Sequence, residues 1–215
     1  MNSPNRFLSN KIITDVQYSD SHFFDRTFSR CKFKNVDFSG AELSFVKFTN
    51  CQFDLVSFYK AEIYCLTFQN CILNKIEFTK AEIDECKFRN SELKNVDFSG
   101  SDFCGIKFDQ VKFIDVLFFG CVVEEEFQIT NSSANQLSVK NMRMKIQKLN
   151  SNPDESMQYE TVIIETHQDF LNYNPGLLSV DEMNMKNRNR RRRNSYVFLF
   201  YTILASVTPI FLISW

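Results

Sequence analysis

Between residues 16 and 125 the chain repeats apolar and polar positions with a period of five. Read in fives from position 31, it runs CKFKN VDFSG AELSF VKFTN CQFDL VSFYK AEIYC LTFQN, and the third residue of every block is apolar. From Tyr18 to Val123 there are 22 consecutive central positions: 15 Phe, three Leu, two Ile, one Tyr and one Val. Two residues before most centres sits a small or β-branched residue, as at Cys31, Val36, Ala41, Val46, Cys51, Val56 and Ala61. Arg26 and the larger Leu66, Ile76 and Ile106 depart from this rule. Two inward residues per five fits neither a helical period of 3.6 nor a strand period of 2. It fits short extended segments that turn a corner every five residues.

A second period is superimposed. Cys31, Cys51 and Cys71 recur every 20 residues, as do Ala41, Ala61 and Ala81, and Val36, Val56, Ile76 and Val96. Four blocks therefore make one turn of a square coil, and the turns stack at the strand spacing of about 4.8 Å. The 22 blocks amount to 5.5 turns, a rod about 26 Å long at that spacing. Central Phe rings are expected to form columns inside it.

AELSF, AEIYC, AEIDE, SELKN and SDFCG resemble the A(D/N)LXX consensus of the pentapeptide-repeat family, with Phe replacing Leu at most centres. The resemblance covers about half the chain. It implies an all-β solenoid, a right-handed quadrilateral β-helix; the handedness is carried by the family alone.

Outside the repeat, residues 1–15 read as an N-terminal cap and 126–185 as a cap or linker, partly helical. Gln136–Leu149 and Met157–Tyr173 are candidate helices, although the first also reads as an alternating strand through Met142, Met144 and Ile146. Residues 186–194, KNRNRRRRN, carry six positive charges and no negative one. Residues 195–215 follow as a candidate transmembrane helix, uncharged throughout, long enough for a hydrocarbon core of about 30 Å. Tyr196 and Trp215 suit its interfaces, and Arg190, Arg191, Arg192 and Arg193 its cytoplasmic flank. A buried core helix and one half of a membrane hairpin are the competing readings of this run. The expected location is a membrane, single-pass, with the coil on the cytoplasmic side, as in a bacterial inner membrane.

Chemistry is sparse. There is no GxxxxGK[ST], GxGxxG, HExxH or GxSxG, and only two histidines, His22 and His167. The seven cysteines contain no CxxC pair, and the stacked ones read as small core residues. No enzyme, cofactor or metal is expected. The outward residues carry what remains. Glu42, Glu62, Glu82 and Asp102 line one face, Asp37, Glu77 and Asp97 the next, and Lys47, Lys87 and Lys107 a third. Phe45, Leu55, Tyr59, Tyr64, Ile72, Ile114, Leu117 and Phe119 are apolar at outward positions. These form a docking strip or lie under the non-repeat segment. The acidic column with Phe45, Tyr59 and Tyr64 is the candidate interaction surface.

The pattern favours a non-enzymatic, membrane-anchored scaffold for protein–protein interaction. Its partners would be an unidentified protein and the lipid bilayer, with a second copy of the chain as a further candidate and nucleic acid set aside. The family resemblance adds two alternatives. One is a DNA mimic that protects topoisomerases or confers immunity to a toxin. The other is a bacterial effector acting at a host membrane. Residues 16–125 hold 17 acidic and 13 basic side chains, a net charge of −4, and the lysine face interrupts the acidic ones.

Overall fold

The structure is a computed structural model, and it describes residues 6–147, 159–173 and 177–179. The chain winds as a coil in which each strand pairs in parallel with the strand about 20 residues before it. Thr67–Gln69, for example, lies between Lys47–Thr49 and Lys87–Arg89, with Phe68 opposite Phe48 and Phe88. Among the described residues, seven coil strands stack in each of three sheets. Two sheets use three- and four-residue strands almost throughout. The other uses longer strands, such as Gln52–Ser57, that bend in the middle and so cover two sides of a four-sided section.

The corners explain the period of five. The last residue of nearly every block has positive φ, from Asn10 (54°) through Asn35 (51°), Asn70 (54°) and Asn90 (50°) to Asp115 (53°). A left-handed residue there turns the chain through a corner and lets the next extended segment start. Asn, Asp and Gly tolerate this region best, and they fill many of the corners. At Gly40 (φ 67°) the need for glycine is doubled, because a Cβ would strike the Asp20 carboxylate.

Inside, the centres form the expected columns. Phe38, Phe58, Phe78, Phe98 and Phe118 stack with centroids 4.8–5.1 Å apart and ring planes within 6° of parallel. Phe28, Phe48, Phe68, Phe88 and Phe108 form a second column at 4.9–5.2 Å. Neighbouring columns meet edge to face, as Phe48 and Phe53 do at 87°. Offset stacks and edge-to-face pairs are the favoured aromatic geometries. One face is fixed by the 20-residue repeat and the other by the corner.

The column of Cys31, Cys51, Cys71, Ser91, Val111 and Ser132 has a further role. Cys51 Sγ accepts from the Cys31 amide (3.4 Å), Ser91 Oγ from the Cys71 amide (3.0 Å) and Ser132 Oγ from the Val111 amide (3.0 Å). These corner N–H groups would otherwise be buried without a partner. In the alanine column the same amide instead closes a turn, as Ala41 N–H does on Phe38 O (3.0 Å). All seven cysteines are free thiols.

The coil is longer at both ends than residues 16–125. Phe7–Ser9 and Ile12–Gln17 already pair with Thr27–Ser29 and Lys32–Asp37, so residues 6–15 are coil rather than a separate cap. After Val123 the register changes from 20 to 21: Lys107 faces Gln128, Lys112 faces Ser133 and Val122 faces Arg143. One extra residue is absorbed in the acidic turn Glu124–Glu126. The coil then resumes, with positive-φ corners at Asn131, Gln136 and Asn141. The candidate helix at 136–149 is therefore strand, through Ser132–Lys140 and Met142–Gln147. Its Met142, Met144 and Ile146 obey the strand alternative because a neighbouring coil already supplies a parallel edge. Among the described residues of the candidate helix at 157–173, only His167–Tyr173 is helical; Tyr159–Ile164 pairs antiparallel with Met142–Gln147.

That antiparallel strand and helix close the coil's C-terminal end. Phe170 is fully buried and stacks on Phe118 at 5.9 Å, extending the phenylalanine column by one ring. Leu177–Ser179 is a short further strand. The basic segment 186–194 and the candidate membrane run 195–215 lie outside the described residues. Among the described residues no helix is long and apolar enough to cross a membrane.

Candidate interaction surface

The outward positions of the coil form columns because the strands are in register. His22, Glu42, Glu62, Glu82 and Asp102 follow one another on successive strands, and Val122 and Arg143 continue the line. All four acidic side chains are exposed. His22 Nδ1 lies 2.7 Å from Glu42 Oε2. Among the described residues, Glu62, Glu82 and Asp102 make no side-chain ion pair.

The next acidic column differs. Asp37 Oδ1 accepts from the Ser39 amide (2.9 Å) and hydroxyl (2.5 Å), and Asp97 repeats the arrangement with Ser99. Thr79 and Ser57 hydroxyls donate to Glu77 at 2.5 and 3.1 Å. Partial burial raises the Asp37 pKa, but hydrogen bonds from Ser39 and Ser19 outweigh it and hold the carboxyl below its ordinary range. Those lone pairs are committed within the protein. Among the described residues, the Glu62, Glu82 and Asp102 carboxylates have no such hydrogen bonds.

Beside the acidic column, on the same sheet and the corner that ends it, three aromatic rings are exposed. Phe24 and Phe45 meet edge to face at 5.7 Å, and Phe45 and Tyr64 at 5.2 Å. Their exposures are 63%, 50% and 38%. Phe45 also occupies a left-handed corner (φ 57°), a position where a bulky residue is disfavoured. Thus Glu42, Glu62, Glu82, Asp102, Phe45 and Tyr64 share one side of the coil.

Tyr59 does not join them. It precedes the Lys60 corner (φ 55°), half-buried, with the Lys60 and Lys80 ammonium groups 5.2 and 5.9 Å from its ring. Phe24 escaped the sequence reading because it directly follows the central Phe23. Its signal was Tyr64, 40 residues on in the same block position. Leu55 and Ile72 are exposed on another side, while Ile114 and Leu117 are half-buried.

The half-buried thiols on the acidic side titrate high. Burial is the first cause for Cys104, and the Asp84 and Glu125 carboxylates add to push it up to about 11. Cys65 is raised by burial first and then by its hydrogen bond to Glu85 at 3.2 Å. The lysine column lies on the sheet that follows, where Thr67 interrupts it between Lys47 and Lys87, and Lys107 pairs with Glu126 at 2.5 Å. Among the described residues no three His, Cys, Asp or Glu side chains converge as a metal site.

Comparison with known proteins gives the fold a relation. Full-length QnrB1, a plasmid-mediated fluoroquinolone resistance protein, is similar over 63% of this chain and 78% of its own, at 17% identity and a TM-score of 0.43. Rfr23, a pentapeptide repeat protein from the cyanobacterium Cyanothece 51142, is similar over 48% of this chain and 84% of its own, at 12% identity and a TM-score of 0.45. Neither likeness carries a function across. No curated protein matches the chain. The model of the pentapeptide repeat region matches residues 9–78 and 41–119, which together span more than half of the 215 residues. With its period of five, its corners and its stacked columns, the chain belongs to the pentapeptide repeat family.

Proposed function

We propose that this protein is a non-enzymatic, membrane-anchored scaffold whose coil binds another protein on the cytoplasmic side. The observation that carries this reading is the side formed by Glu62, Glu82, Asp102, Phe24, Phe45 and Tyr64. There, uncommitted carboxylates and exposed rings repeat in register on a rigid core. Exposed apolar groups gathered in one place mark interaction sites. The anchoring half rests on the uncharged run 195–215 behind the arginines at 190–193.

The DNA-mimic alternative needs a long negative surface that replaces a densely charged duplex. Here Lys47, Lys87 and Lys107 on the adjoining sheet damp the acidic field within a Debye length of about 8 Å. The scaffold reading therefore takes precedence.

The test uses the full chain in cells, with a photo-crosslinking residue placed at position 64 or, on the opposite side of the coil, at position 34. The protein is expected to pellet with membranes, to resist carbonate extraction, and to give a discrete protein adduct from an outward position. A full chain that stays soluble without detergent overturns the anchor. Failure of outward positions on every side to give an adduct overturns the scaffold.

A further inference from the structure

The acidic side of the coil has a spacing that selects the form of its partner. Glu42, Glu62, Glu82 and Asp102 occupy adjacent strands, so the four rungs lie at about 0, 4.8, 9.6 and 14.4 Å along the rod. An α-helix laid along the rod places residues 1, 4, 8 and 11 at about 0, 4.5, 10.5 and 15 Å. Every rung is then met to within about 1 Å. An extended strand offers same-side residues only every 6.7 Å or so and falls out of step by the second rung. A polyproline helix repeats every 9.3 Å or so and meets alternate rungs only.

The second feature lies beside the first. Tyr64 follows Glu62 by two residues on one strand, as Phe24 follows His22, so both project from the same face roughly 6.6 Å from the acidic line. Phe45 fills the corner between them and touches both rings. A helix about 10 Å across covers both lines at once. The complement is therefore a cationic stripe with an apolar stripe next to it. Aromatic rings also attract cations over their faces. The chemistry excludes an anionic partner: Asp84 and Glu85 add two further carboxylates on this side.

Deepening the scaffold reading, on which it rests, we propose that this side of the coil is a docking surface for a basic amphipathic α-helix of a partner protein. The helix lies along the rod, with Lys or Arg at i, i+3, i+7 and i+10 on Glu42, Glu62, Glu82 and Asp102. Its apolar stripe lies over Phe24, Phe45 and Tyr64. A charged contact of this kind weakens with salt, while the aromatic part does not.

The probe is a labelled 14-residue helical peptide with lysines at positions 1, 4, 8 and 11 and leucines along the adjoining stripe. A scrambled peptide of equal composition and helicity is the control, and the full chain is used in neutral detergent. The in-register peptide is expected to bind at least tenfold more tightly, losing that advantage in Glu62→Lys/Glu82→Lys and most of it in Tyr64→Ser. A photo-crosslinking residue at position 64 of the otherwise native chain is expected to capture the same peptide, independently of any effect of the lysine changes on folding. Equal binding of both peptides, or capture only from position 34, overturns the proposal. A protein adduct in cells from another side of the coil, with no peptide preference, leaves the scaffold standing and removes this partner. No adduct from any side removes both.

Discussion

Phe68 shows what one side chain does in this fold. It is fully buried, stacked 5.2 Å from Phe48 and 4.9 Å from Phe88, with its edge toward Phe53 and Phe78. Phe68→Asp places an unpaired carboxylate in the middle of a ring column and is expected to abolish folding, since even truncation of a buried Phe to Ala costs about 3–5 kcal/mol. Thr67→Asp, one residue away, points outward between Lys47 and Lys87 and is expected to change stability by less than about 0.5 kcal/mol. Circular dichroism with thermal unfolding of the two variants checks this; equal damage from both would refute the register. The inward set was legible in the sequence because burial admits few side chains at two positions in five. The outward set was less so. Which carboxylates are committed depends on a serine two residues along or one coil away, as at Asp37, and Tyr59 proved to lie around a corner from Tyr64. Phe24 was hidden by its neighbour Phe23. Composition lists such residues but does not say which side they face.

At the level of elements, the strands are too short to be stable alone and exist because each coil offers the next a parallel edge. The same dependence explains the missed seventh coil. One residue added near Glu124–Glu126 moves every later block by one, so the pattern of five falls out of phase with the earlier blocks while the ladder continues in space. The pairing tolerates this because the bulge falls in a solvent-facing turn, where Lys107 and Lys145 pair with Glu126 and Glu124. The C-terminal closure is also an element rather than a repeat. Thr166 and Asp169 cap the helix reciprocally: the Asp169 amide donates to Thr166 Oγ1 (3.2 Å) and the Thr166 amide to Asp169 Oδ2 (3.2 Å). This orients Phe170 onto Phe118 and edge-on to Phe127. Phe170→Ala removes the last ring of the column and is expected to destabilise the protein by about 3 kcal/mol, against about 1 kcal/mol for Thr166→Ala. Chemical denaturation of both variants measures the ratio; a Phe170→Ala loss no larger than that of Thr166→Ala would mean the helix does not close the coil.

The whole coil is a one-dimensional stack, and its two ends are finished differently. In such a stack stability is a sum of coil energies and nearest-neighbour contacts, so an end coil with one neighbour opens before an interior coil with two. At the C-terminal end Ile164 and Phe170 are fully buried over the last coils and supply a second neighbour. At the N-terminal end the inward residues Leu8, Ile13, Tyr18 and Phe23 are only partly buried, and Phe7 and Ile12 are 52% and 76% exposed. Burial then rises inward, from 7% exposure at Phe28 to none at Phe58, Phe68 and Phe78. The ring column follows suit, beginning with a half-buried Tyr18 set at 21° to Phe38 before settling to 6° or less. Local opening free energy should therefore climb from the first coil toward the middle and stay high to the capped end. Amide hydrogen exchange on the full chain is expected to show the least protection in residues 7–24, more in 27–44, and a plateau from 46 through 118. Because the ladder amides bond carbonyls of an adjacent coil, as Glu62 N–H does to Ala41 O at 3.0 Å, the measured steps should fall at intervals of about one coil rather than at single residues. Uniform protection from residue 7 to 118 would show instead that the coil opens as one cooperative unit, and that the first turn draws its stability from something other than its single neighbour.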